Sequence, residues 1–126
     1  MATGAAPGTH RIIELDEVDS TNSEAMRRAG AGERGPVWIM ARSQTAGRGR
    51  SGRAWSTAGG SLAASLLVAP RCGPGDLNQI ALLAGVATHD AVAQCLPEGA
   101  RGAVRLKWPN DILIDGAKVA GILIES

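Results

Sequence analysis

The chain is predicted to fold as an α+β domain with a mixed, mostly antiparallel sheet and helices packed on one face. Three observations predict it. Short apolar runs with strand character are interrupted by two helical stretches, without strict strand–helix repetition. Asp115-Gly116 separates two apolar runs, the chemistry of a tight hairpin turn between antiparallel strands. No stretch reaches the ~18 consecutive apolar residues of a membrane span, so the 44% hydrophobic content of these 126 residues is available for a buried core.

Taken in order, residues 1–9 are small and Gly/Pro-bearing and are expected to form a disordered tail, leaving 10–126 as one domain. Residues 11–18 (RIIELDEV) read as the first strand. Asp19-Ser20-Thr21-Asn22 stops it and opens a helix reaching about Gly30, with Thr21 and Glu24 at capping-box spacing. After a Gly/Pro loop, residues 37–41 (VWIMA) read as a buried strand that delivers the chain into SQTAGRGRSGRAW, residues 43–55. Residues 61–69 form another buried strand, closed by Pro70. From 76 to 95, Leu77, Ile80, Ala84, Ala87, Ala91 and Cys95 recur at helical spacing, with Leu83 and Val92 widening the face expected to be buried. Pro97 ends that helix. Residues 104–108 read as a strand stopped by Pro109, and 112–114 and 119–125 as the hairpin arms.

A formal net charge of +1 gives no global pull toward nucleic acid or an anionic membrane. The positive charge is local, with Arg42, Arg48, Arg50 and Arg53 within one short stretch. Against 11 arginines there are two lysines, Lys107 and Lys118, both in the C-terminal stretch discussed below. Tyr and Phe are absent, so aliphatic residues and three tryptophans build the core. Cys72 and Cys95 lack metal-ligand spacing and read as reduced thiols of a cytoplasmic protein. The N-terminus lacks the charged start and apolar run of a secretory signal. His89-Asp90 lies in the long helix without a nucleophile in motif context and reads as a pair with no chemistry.

Three stretches carry more polar and special-geometry residues than a fold requires. At Asp19-Ser20-Thr21-Asn22 the plain reading is helix capping, and the functional one is that hydroxyls and an amide meet a polar ligand group. The glycine–arginine loop, with Gly47, Gly49 and Gly52 between Arg48, Arg50 and Arg53, reads as an ordered anion cradle or as a flexible nucleic-acid tether. Its direct exit from an apolar strand and its closure on Trp55 favour the cradle. In the third, Lys107-Trp108-Pro109-Asn110-Asp111 sets a cation, an amide and a carboxylate around a proline turn, and Lys118 opens the strand after the hairpin turn. Lys118 reads either as a solvated edge charge or as a point charge for a carboxylate or phosphate. Asn110 and Asp111 beside a cation suit Mg²⁺–phosphate work, since magnesium takes a few hard oxygens and keeps its waters.

In this order the stretches resemble the catalytic domain of biotin–protein ligases. The family's signatures are D-S-T-N, Q-x-x-G-R-G-R-x-G-R-x-W, K-W-P-N-D and K-x-x-G-I-L-x-E. They stand here at Asp19 to Asn22, Gln44 to Trp55, Lys107 to Asp111 and Lys118 to Glu125. The resemblance runs from about Leu15 to the last residue and implies the class II synthetase-like biotin/lipoate ligase fold, in its N-terminal portion. It implies two half-reactions: biotin and ATP give biotinyl-5′-AMP, and a lysine of a biotin carboxyl carrier domain then takes the biotinyl group. By the same resemblance Ser20, Thr21, Asn22 and Gln44 meet the biotin head, and Arg48, Gly49 and Arg50 close over its carboxylate and the adenylate phosphate. Trp55 lines the pocket. Lys118 offsets charge at the same carboxylate and phosphate, so Arg48, Arg50 and Lys118 are the implied catalytic residues. Arg50, Lys107, Asn110 and Asp111 serve the nucleotide, with Mg²⁺ on Asp111.

The resemblance also implies a further Gly-rich strand, adenine-contacting residues and a small β-barrel after this segment, and a homodimer through sheet edges. About ten residues precede the first strand, so no DNA-reading helix-turn-helix and no DNA partner are expected. A lipoate–protein ligase, a non-catalytic biotin-binding fragment and a nucleic-acid module using the loop as its tether are the alternatives. The lack of interleaved aromatics in the loop argues against the last.

Overall fold

The computed structural model describes residues 11–57 and 59–126. Residues 1–9, expected as a disordered tail, lie outside the described residues. The chain divides into two compact units, one ending at Arg71 (with Ser126) and the other spanning Cys72–Glu125. Each carries a three-stranded sheet and a helix of its own.

In the first unit the order is β1 (Arg11–Val18), α1 (Thr21–Gly30), β2 (Val37–Gln44) and β3 (Ala63–Leu67). β2 is the central strand, parallel to β1 and antiparallel to β3. Its alternation sets the core: Val37, Ile39 and Ala41 are buried, and Ala63 and Ser65 of β3 are buried beside them. α1 packs against β2 and β3 through Thr21 and Ala25. Its outer face is charged, with Glu24 paired to Arg27 and Arg28 at helical spacing. The helix cap corrects the sequence reading by one residue. Ser20, not Thr21, is the N-cap, and its Oγ accepts from Ser23 N at 3.2 Å. Glu24 therefore lies one position beyond the capping box and is held by arginines instead.

In the second unit α2 (Leu77–Gln94) precedes β4 (Val104–Lys107), β5 (Asp111–Ile114) and β6 (Ala117–Gly121), an antiparallel meander. Asp115 and Gly116 both have positive φ, 49° and 82°, as the predicted two-residue hairpin turn requires. Val104 of β4 and Ile112 of β5 are the buried apolar residues of this sheet. β3 and β6 stop at Leu67 and Gly121, short of the apolar runs predicted, whereas β2 runs on to Gln44.

The expected buried face of α2 needs correction. Leu83, Ala87, Ala91 and Cys95 are exposed, while Leu77, Ile80, Ala81, Ala84, Thr88 and Val92 are half-buried around the buried Gly85. The helix is apolar nearly all round, so its periodicity does not single out one face. The contact is chosen by Gly85, where a Cβ would come within 3.2 Å of the Leu106 side chain. His89 lies on the edge of that contact, 3.1 Å from the Asp90 carboxylate and 3.3 Å from the Val104 carbonyl. It acts as a tie between α2 and β4, in keeping with the non-chemical reading. Pro97 follows the helix end by a short interval and opens a 3-10 turn, Glu98–Ala103.

Candidate active site

The D-S-T-N turn follows β1 directly, and each of its residues has a distinct task. Asp19 grips Arg27 through two hydrogen bonds of 2.8 and 2.9 Å and accepts from Ser20 N at 2.7 Å. The Arg27 guanidinium, with the Ser20 amide, holds the Asp19 carboxyl well below the usual carboxylate range. Asp19 thus fastens the turn to the outside of α1. Ser20 caps the helix and is buried. Thr21, also buried, donates from its backbone N to Gln44 Oε1 at 2.8 Å, with its hydroxyl 3.3 Å from the same oxygen.

Gln44 is the last residue of β2, and its carboxamide faces both ways: Oε1 receives Thr21, while Nε2 donates to Thr57 Oγ1 at 3.1 Å. These partners fix which end of the amide is oxygen. Ser65, on the core face of β3, lies 2.8 Å from Thr21 Oγ1 and also hydrogen-bonds the Asn22 side-chain oxygen. Of the four residues that the resemblance groups, Thr21, Asn22 and Gln44 are brought together in one polar network, while the Ser20 side chain caps α1. Ser65 and Thr57 are members that the sequence reading missed. Ser65 looks like an ordinary member of the run SLAASLLVA, and the one available signal was a hydroxyl where strand alternation calls for an apolar side chain.

The glycine–arginine loop is an ordered hairpin. Its entry is tied to the D-S-T-N turn by Thr45 N donating to Val18 O at 2.9 Å and Ala46 N donating to Asp19 O at 2.7 Å. Its two limbs are joined by Trp55 N to Gly47 O at 2.8 Å and Gly49 N to Arg53 O at 2.7 Å. The tip turns at Arg50–Gly52, with Ser51 and Gly52 at positive φ. Gly47 is required by packing, since a Cβ would fall 2.4 Å from the Trp55 carbonyl oxygen and 2.8 Å from Gln44 Nε2. Arg48 donates to the Ser23 hydroxyl, which anchors the loop to the first turn of α1. Arg50 and Arg53 are exposed at the tip, and Trp55 is 39% exposed. The flexible-tether alternative does not fit a loop closed in this way.

Lys107, Asn110, Asp111 and Lys118 belong to the second unit. Lys107 pairs with Asp111 across β4 and β5, with Trp108, Pro109 and Asn110 making the turn between them. Asn110 Nδ2 donates to Ile122 O at 2.8 Å, and Ile122 N returns a bond to Asn110 O at 2.9 Å. That amide pins the segment after β6. Lys118 reaches Asp111 Oδ1 at 3.0 Å. A β-bulge makes this contact possible. Asp111 pairs with Gly121 and Ile112 with Ala120, whereas Leu113 pairs with Lys118 and Ile114 with Ala117, so Val119 is the extra residue. In the unshifted register Lys118 would stand opposite Ile114, on the face that buries Ile112; the bulge moves it to the face of Asp111.

For a magnesium ion, the described residues contain no group of three or more His, Cys, Asp or Glu side chains. A single carboxylate such as Asp111 is what magnesium uses when substrate phosphates and water complete its shell, so the residues present fit that role.

Residues 16–126 match the Biotin/lipoate A/B protein ligase family. Over 112 residues the chain is 45% identical to a biotin–[acetyl-CoA-carboxylase] ligase of Paracoccus denitrificans, covering 89% of this chain and 45% of that protein. The structure of the biotin protein ligase of Leishmania major in complex with biotinyl-5-AMP superposes with a TM-score of 0.75 at 34% identity, covering 92% of this chain and 52% of that one. That of Aquifex aeolicus, in complex with biotin and ATP, gives 0.75 at 34% identity, with 92% and 47% covered. The chain thus spans about half the length of these relatives. With the signature stretches in order and the α+β fold shared, the chain belongs to the biotin/lipoate A/B protein ligase family.

Proposed function

We propose that this chain takes part in the ATP-dependent activation of biotin and its transfer to a lysine of a biotin carboxyl carrier domain. The observation that carries the reading is the neutral polar network of Thr21, Asn22, Gln44 and Ser65, adjoining an arginine hairpin rather than standing alone. A ureido ring is uncharged and polar, and it needs matched donors and acceptors because an unpaired buried polar group is costly. A site made of hydroxyls and carboxamides suits it better than one made of charges.

In the reaction proposed, the biotin carboxylate attacks the α-phosphorus of ATP, forming the mixed anhydride and releasing pyrophosphate. The ε-amine of the acceptor lysine then attacks the biotinyl carbonyl, losing a proton and releasing AMP. Ser20, Thr21, Asn22 and Gln44 hold the head, and Trp55 offers an aromatic face to the ring and chain. Arg48, Gly49 and Arg50 hold the carboxylate and phosphate, and their loop shields the anhydride from water. Lys118 offsets negative charge developing at phosphorus, and Lys107, Asn110 and Asp111 attend the nucleotide phosphates. Magnesium would neutralise phosphate charge when bound at Asp111.

The relatives' names support biotin over lipoate, as do the arginine loop and K-W-P-N-D. A net charge of +1 gives this segment no global pull toward nucleic acid, and the proposed acceptor is a protein. Among the described residues no helix is long and apolar enough to cross a membrane; the proposed location is the cytoplasm, and the proposed assembly is a homodimer through sheet edges.

Thermal melting with biotin, with lipoate and with biotin plus MgATP tests the reading, since a ligand bound only by the folded state raises the midpoint. A biotin-specific rise, enlarged by MgATP and losing that enlargement in Arg48→Ala and Lys118→Ala, is expected. A rise with biotin and no MgATP increment would identify a binding fragment. A cooperative melt indifferent to all three overturns the proposal.

A further inference from the structure

We propose that Ser65 is a positioning residue for recognition of the biotin head, acting through Thr21 and Asn22. The inference rests on the biotin reading above and adds to it a residue outside the signature stretches. Ser65, in the middle of β3, pairs with Ile39 of the central strand and lies between Ala63 and Leu67 on the face that packs α1. It is 8% exposed. On that face an alanine or valine would pack without a polar atom, and a buried hydroxyl is tolerated there only when it is hydrogen-bonded. Ser65 has two partners, Thr21 Oγ1 at 2.8 Å and the Asn22 carboxamide oxygen, both on the first turn of α1.

The proton count orients the network. A carboxamide oxygen can only accept, so Ser65 gives its single proton to Asn22. Its oxygen is then the acceptor for the Thr21 hydroxyl proton, because 2.8 Å to Ser65 is shorter than 3.3 Å to Gln44 Oε1. Gln44 Oε1 keeps the Thr21 backbone N–H at 2.8 Å. One hydroxyl thereby holds the Asn22 carboxamide oxygen and sets which way the Thr21 hydroxyl points. A site that reads a ureido group by its donor and acceptor pattern depends on both. Without Ser65 the Asn22 carboxamide oxygen loses this donor, and the Thr21 hydroxyl turns fully to Gln44.

The experiment compares the unsubstituted chain with Ser65→Ala and Ser65→Thr by biotin calorimetry and by NMR of the Asn and Gln side-chain NH₂ groups. Loss of one neutral positioning bond is expected to weaken biotin binding about tenfold in Ser65→Ala, with shifted Asn22 and Gln44 NH₂ signals. Ser65→Thr, which keeps the hydroxyl, is expected to restore most of the affinity and the native NH₂ signals, a rescue that packing alone would not produce. Should the alanine variant not fold, Ser65→Cys, close in shape but a weak hydrogen-bonder, replaces it. Equal biotin affinity in the alanine and unsubstituted chains, or unmoved NH₂ signals, overturns the inference alone. Absence of biotin binding by the unsubstituted chain overturns the biotin reading and this inference with it.

Discussion

The two units carry their chemistry in opposite ways. In the first, Thr21, Ser65 and Gln44 form a buried or half-buried neutral network whose members fix one another's orientation. In the second, Lys118 and Asp111 form a charge pair with side chains 41% and 22% exposed, on a strand displaced by a bulge. Burial makes hydrogen bonds directional and costly to leave unmade, so the first arrangement is set before a ligand arrives. A half-exposed ion pair is worth little to stability and exchanges partners at little cost. Neutral recognition and charge neutralisation place different demands on a scaffold, and in the function proposed each unit would meet one of them.

The largest effect should come from removing the platform beneath the neutral network. Ile39→Ala deletes a fully buried side chain opposite Ser65 and is expected to cost about 2–5 kcal/mol in chemical denaturation. Loss of the biotin response should accompany it. Gln44→Ala is a sharper cut, since it leaves the Thr21 backbone N–H without its acceptor. About 1–3 kcal/mol of stability is expected to go, with biotin affinity falling more than stability does. A biotin response unchanged in this variant would break the comparison. On the other side, Lys118→Met should change the unfolding free energy by no more than about 1 kcal/mol, as exposed pairs do, while abolishing the MgATP increment of the biotin melt.

The smallest effect is an acid one. Asp19, Glu24 and Glu33 all titrate below their ordinary values. Asp19 is held by Arg27 and the Ser20 amide, Glu24 by Arg27 and Arg28, and Glu33 by Arg11 and the Gly35 amide. Carboxyls depressed in the folded state contribute stability that is present above their unfolded values and is lost as pH falls through the folded ones. A circular-dichroism titration should therefore show the first unit holding through mildly acidic pH and weakening below the normal carboxylate range. Arg27→Gln should move that onset to higher pH.

Much of this was legible beforehand, for identifiable reasons. Arg11–Val18 and Thr21–Gly30 match their predicted extents because strand patterning, a polar turn and a helix stop all act locally. Asp115-Gly116 specified its hairpin because only certain residues adopt positive φ at both turn positions. The resemblance groups Ser20, Thr21, Asn22 and Gln44; the last three share a network, while Ser20 caps α1 instead. The capping residue was misplaced by one, because Ser20 and Thr21 are chemically alike and only the backbone conformation distinguishes the N-cap.

Sequence alone determined the elements, the turn chemistry and the identity of the polar stretches, since these rest on backbone sterics and short-range hydrogen bonding. Tertiary structure decided what depends on contacts between distant residues. It selected the face of α2 by setting Gly85 against Leu106, and it turned Lys118 toward Asp111 by inserting Val119 as a bulge. It also gave Ser65 partners 43 and 44 residues away. No local pattern encodes such contacts, because an apolar helix offers several faces and a strand's register is settled only when its partner is in place.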